Sequence, residues 1–111
     1  FEILHDCLEL TGDQDVVDRP PGTTGVRRLT LPVLQLLEHS GDQRGRVLQL
    51  VGSGDHSSAS ACSLRAEFDV DAAVTAALTQ ARRWTERGRK TLQTLPEGPA
   101  RDAMIDLLDY V

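Results

Sequence analysis

Glu2, Asp6, Glu9 and Asp13 recur at helical spacing in the first thirteen residues, FEILHDCLELTGD, with His5 beside them. Residues at i, i+4 and i+7 of a helix share a face, so Glu2, Asp6 and Glu9 would present three carboxylates to one volume. Like charges at that spacing destabilise an isolated helix, and a cation would relieve them. Oxygen donors suit a hard ion. Magnesium in particular keeps some waters and binds through one or two carboxylates together with the phosphates of a substrate. A solvated acidic face fits the same spacing, and both readings stand at this point. Glu2-x-x-His5 also has the spacing of carboxylate-bridged di-iron helices, but such sites need a second Glu-x-x-His, which the chain lacks.

Arg19, Arg27 and Arg28 follow the acidic stretch closely. Arginine offers a planar fork that matches phosphate oxygens in pairs, so carboxylates for magnesium and guanidiniums for phosphate together make the parts of a diphosphate site. An ordinary exposed arginine pair at 27 and 28 is the alternative. Nucleophilic chemistry finds no support. Cys7 lies two residues from His5, which points the two side chains to different faces of a helix. His39 and His56 lack an acidic or thiol partner at a useful spacing and read as surface residues. The glycines at 52 and 54 follow no strand and precede no lysine, so they form no phosphate loop.

The elements that must position these residues are helices. Residues 1 to 11 place Leu4, Cys7, Leu8 and Thr11 on one stripe, and Gly12 stands where a left-handed cap belongs. Residues 13 to 29, with two prolines and two glycines, cannot continue a helix and read as a long loop. Thr30 is expected to cap a short buried helix with Pro32 in its first turn. Asp42 would cap the next, from Gln43 to Val51. ACSLRAEF then reads as a weaker helix with Ala61, Leu64 and Phe68 inward. Asp69 is a good N-cap for a long helix whose inner face runs from Val70 through Val74, Ala77 and Trp84 to Leu95. Its opposite face carries Arg82, Arg83, Arg87, Arg89 and Lys90, a solvated face or a partner-binding patch. After a turn at PEGP, a final helix lines Ala100, Met104, Leu107, Leu108 and Val111 on one side.

A chain of 111 residues, 40% apolar and 26% charged, holds one core but not two ordinary domains, so residues 1–111 are expected to be a single all-α segment. A net charge of −5 supplies no basic field, and nucleic acid is not expected as a partner. No apolar run approaches the roughly 18 residues of a membrane span and no leader pattern is present; a cytoplasmic protein is expected. Cys7 and Cys62 are too far apart for a paired-thiolate zinc motif and read as buried reduced thiols. The chain opens at Phe1 inside an amphipathic pattern, which leads to the expectation of the back part of something longer.

FEILHDCLELTGD followed by DRPPGTTGVRRLTLPVLQLLEHS resembles the second aspartate-rich region of the trans-isoprenyl diphosphate synthases, the polyprenyl synthetases. There a Phe-Gln-x-x-Asp-Asp-x-x-Asp helix is followed by a Gly-Lys-Pro loop and a Gly-Lys-x-Thr-Leu-Pro segment. ARRWTERGRKTLQTLPEGPARDAMIDLLDYV is similar to the family's closing helices. The resemblance is specific at residues 1–37 and 77–111 and loose between them.

The resemblance implies an all-α fold, with antiparallel helices forming the C-terminal part of an isoprenoid-synthase-type helical barrel. It implies a magnesium-dependent condensation of isopentenyl diphosphate with an allylic diphosphate. The family's three acids fall on His5, Asp6 and Glu9 as metal-binding positions, its preceding glutamine on Glu2, and its two diphosphate-binding lysines on Arg19 and Arg28. Asp6 is the one identity among the acids; His5 supplies nitrogen and Glu9 a longer arm. The family's first aspartate-rich motif is absent from the 111 residues. The implied partners are the two diphosphates together with a missing N-terminal half or a second copy of the chain. A non-catalytic regulatory or structural partner of an active synthase is the alternative that the resemblance leaves open.

Overall fold

Apolar residues at helical spacing, interrupted by glycine and proline, organise the described residues as six α-helices. The computed structural model describes residues 2–11, 29–52 and 58–110. Among them lie α1 (Glu2–Thr11), α2 (Leu31–His39), α3 (Arg44–Gly52), α4 (Ser58–Glu67), α5 (Val70–Leu92) and α6 (Pro99–Tyr110). No strand occurs among the described residues, so the protein is all-α. The loop expected at 13–29 lies outside them except for its last residue.

Two compact units divide the chain within α5, one Glu2–Leu78 and the other Thr79–Val111. In the first, each helix contributes to one core: Leu10 from α1, Val33 and Leu36 from α2, Val47 from α3, Leu64 from α4, and Val70 with Ala73 from α5. Burying an aliphatic side chain of this size stabilises the fold by about 1.5–3 kcal/mol. Leu37, Leu50, Val51, Phe68 and Val74 pack around this core. Arg46 and Glu67 tie α3 to α4 at the surface through paired bonds, Nε to Oε2 at 2.9 Å and Nη2 to Oε1 at 2.8 Å.

Local chemistry explains the helix ends. Pro32 sits in the first turn of α2, where its missing amide costs nothing. Thr30 occupies the N-cap position, but its side chain makes no capping bond; its carbonyl accepts from the Leu34 amide at 2.9 Å. Gly41, at φ +52°, turns the chain after α2 through the left-handed region that favours glycine. Asp42 is not the cap of α3 but lies within a 3-10 turn, Gly41–Gln43, that leads into it. Asp69 does cap α5, accepting the Ala72 amide on Oδ1 at 3.0 Å.

The unit from Thr79 is a helical hairpin made by the second part of α5 and by α6. Gly88 and Leu108 face one another, and Arg89 pairs with Asp109. Helix α5 ends at Leu92, not Leu95, because the Leu95 amide instead bonds back to the Leu92 carbonyl at 3.0 Å in the turn. Trp84 and Leu95, expected on the inner face, are half exposed, as is Met104, and Leu107 is more exposed still. Helix α6 has no buried residue; Val111 lies outside the described residues.

Candidate metal centre

Helix α1 carries the acidic residues and is held by its apolar side. Cys7 and Leu10 are buried, whereas Leu4 is exposed. Of the stripe expected from Leu4 to Thr11, Cys7 is buried, and Leu10, three residues on, completes the inward face in place of Leu4. Helix α1 packs against α2 and α4. Its C-terminal end is satisfied twice: the Thr11 hydroxyl donates to the Leu8 carbonyl at 3.2 Å, and Arg65 of α4 donates to the Leu10 carbonyl at 3.4 Å. A guanidinium at a helix C-terminus also meets the negative end of the helix dipole. Neither Leu10 nor Arg65 stood out in the sequence, although Arg65 is the one cation in ACSLRAEF.

With α1 fixed in this way, His5, Asp6 and Glu9 converge. One ligand atom from each lies within 4.8 Å of the others, and all three side chains are half-buried. His5 Nδ1 stands 3.8 Å from Glu9 Oε1, an ion pair only when the imidazole is protonated. Glu2, which spacing alone grouped with Asp6 and Glu9, is exposed and outside this cluster. Arg19, Arg27, Arg28 and Asp13 lie outside the described residues, as does His56.

The donor set decides what the cluster suits. Asp6 and Glu9 supply two carboxylates, which matches magnesium's habit of taking one or two from the protein and leaving other positions to water and phosphate. The imidazole of His5 suits softer divalent ions and fits magnesium poorly. Two carboxylates are donors of the kind magnesium takes, and the imidazole of His5, 3.8 Å from Glu9 Oε1, is not.

The cysteines separate. Cys7 is buried, and that burial, reinforced by the Asp6 carboxylate beside it, pushes its thiol above the ordinary value. Cys62 was expected to be buried and is exposed, its sulfur within 3.2 Å of the Arg65 guanidinium. His39 is exposed on α2, with Nδ1 at 2.6 Å from the Gln35 carbonyl. No helix among the described residues is long and apolar enough to cross a membrane. Comparison with protein-family models, with curated proteins and with solved structures finds no match to this chain.

Proposed function

We propose that this chain is the part of a magnesium-dependent prenyltransferase that begins at the second aspartate-rich region, acting in the condensation of isopentenyl diphosphate with an allylic diphosphate. The supporting observation is the convergence of His5, Asp6 and Glu9 on one turn of α1, at the positions that the resemblance gives to metal-binding acids. Asp6 and Glu9 would hold the ion, and His5, 3.8 Å from Glu9, would orient that carboxylate. Magnesium, when bound, supplies positive charge to a departing diphosphate. Arg19 and Arg28 would add guanidinium bonds to the diphosphate oxygens, and Glu2 would flank them. A cytoplasmic location accompanies this reading. Because the first aspartate-rich motif is not among the 111 residues, the chain alone is expected to bind without turning substrate over.

His5 in place of an acid favours a second reading, a non-catalytic partner of an active synthase that has kept the fold and lost part of the metal site. Calorimetry with a non-hydrolysable allylic thiolodiphosphate, with and without magnesium, tests the two. The first reading expects binding that requires magnesium and falls at least about tenfold in Asp6→Asn, a loss of about 1.4 kcal/mol. Binding indifferent to magnesium, or untouched by Asp6→Asn, sinks it. Absent diphosphate binding together with tight association to an active synthase selects the second.

A further inference from the structure

The imidazole of His5 sets the cluster on α1 apart from an ordinary acidic face. Carboxylates alone would suit solvent as well as an ion, but His5, Asp6 and Glu9 bring one nitrogen and two oxygen donors within 4.8 Å of one another. Imidazole is a ligand for zinc and its neighbours in the first transition row, whereas magnesium takes oxygen. His5 and Glu9 stand at i and i+4, the spacing at which a helix presents two zinc ligands on one face. Zinc also takes three protein ligands drawn from histidine and carboxylate, leaving a fourth position open.

Distance and support agree with that chemistry. Two donors about 2.1 Å from one zinc ion lie about 3.4 Å apart in a tetrahedral site. His5 Nδ1 and Glu9 Oε1 stand 3.8 Å apart, so a small side-chain rotation brings both onto one ion. All three donors sit on a single helix, and that helix is fixed by buried Cys7 and Leu10 and by Arg65 at its C-terminal end. Little ordering is then left for the ion to impose. Magnesium would draw on a substrate's phosphate oxygens and on water to complete its shell. Zinc, with three ligands from the protein, needs no phosphate. The histidine that would orient Glu9 beside magnesium ligates the softer ion directly.

We propose that His5, Asp6 and Glu9 form a site for a borderline divalent ion of the zinc type, which binds this chain without diphosphate and in preference to magnesium. The ion needs no substrate, so this site stands or falls apart from the diphosphate reading of the same carboxylates. Calorimetry on the 111-residue chain in phosphate-free buffer, with zinc chloride alone and magnesium chloride alone, tests it together with the NMR signals of the His5 ring. The expected result is one-to-one zinc binding at least about tenfold tighter than that of magnesium, with the His5 signals shifting in step. His5→Gln should weaken zinc at least about tenfold, the loss that even an outer-shell partner causes, while circular dichroism stays helical. His5→Asp, which restores an all-oxygen set, should narrow the preference for zinc over magnesium. Zinc could also find exposed Cys62 and His39, or His56. A chain carrying Cys62→Ser, His39→Gln and His56→Gln should therefore bind zinc as the unaltered chain does. Absent zinc binding, magnesium bound as tightly as zinc, zinc binding untouched by His5→Gln, or its loss in the triple variant each overturns the proposal.

Discussion

The unit Glu2–Leu78 and the hairpin from Thr79 use one helix in two ways. In the first, α5 contributes Val70, Ala73 and Ala77 to the interior, and every buried residue of the molecule's described part lies within that unit. In the second, the same helix meets α6 through Gly88 and Leu108 and an exposed pair of charges. The first unit is held by apolar burial and the second by surface contacts, which are individually weak. This difference places resistance to unfolding in the first unit.

The strongest way to break the comparison is to truncate a matching leucine in each unit. Leu36 is 2% exposed and Leu107 is 63% exposed. Leu36→Ala should destabilise the first unit by about 2–5 kcal/mol, whereas Leu107→Ala should stay within about 0.5 kcal/mol in dilute solution, both read from urea unfolding. The cysteines give a second readout. Cys62 should react with a thiol reagent in the native protein, and buried Cys7, its thiolate disfavoured, should react only as the first unit opens, faster in Leu36→Ala. Comparable losses at the two leucines would erase the distinction.

A smaller effect comes from the entry to α5. Asp69→Ala removes the bond to the Ala72 amide and should cost about 1 kcal/mol, with lost amide protection confined to the first turn of α5. Smaller still, and of opposite sign, is Gly88→Ala. A β-carbon there would meet Leu108 at 3.6 Å, an ordinary contact. The substitution should therefore gain up to about 1 kcal/mol of helix propensity, seen as slower hydrogen exchange along residues 84–92. A loss of stability would show that the hairpin needs the glycine's closeness, and that its packing is tighter than surface contact.

How much of this was legible in the sequence follows the same divide. Helical periodicity located α1, α2, α5 and α6, and Asp69 announced a cap that the structure contains. Leu36 and Leu64 sat on predicted inner positions and are buried. Periodicity reports which residues share a face, but not whether anything covers that face. Trp84, Leu95, Met104 and Leu107 form a legible stripe with no core beneath it, and the reading of them as inward failed for that reason. At the site, the spacing rule grouped Glu2 with Asp6 and Glu9, while the resemblance pointed to His5, Asp6 and Glu9, the three that converge. His5 and Glu9 stand at i and i+4 and so share a face, a pairing the spacing rule contains but a search for carboxylates alone passes over. Arg65 at the end of α1 is a contact across 55 residues, and no local pattern encodes it.

The finest test of the comparison is its dependence on acid. Each unit has a surface carboxylate hydrogen-bonded by a guanidinium: Glu67 by Arg46 in the first, Asp109 by Arg89 in the hairpin. Hydrogen bonding from the partner is the main cause that holds each carboxyl below its ordinary value, 4.5 for Glu67 and 3.8 for Asp109. A carboxyl whose value is lowered by folding adds stability above its unfolded value, and that share disappears as pH falls through the folded value. Both pairs are exposed, so both shares are small. Their weight differs because the first unit keeps its apolar core when Glu67 is protonated, whereas the hairpin has no buried side chain in α6 to fall back on. Amide protection in α6 should therefore decline between about pH 4 and lower values while that of α3 and α4 persists. Asp109→Asn should flatten the decline in α6, and Glu67→Gln should leave it as it was. An Asp109 carboxyl that titrates at its ordinary value by NMR would remove the hairpin's main polar tie and, with it, the reason for its acid sensitivity.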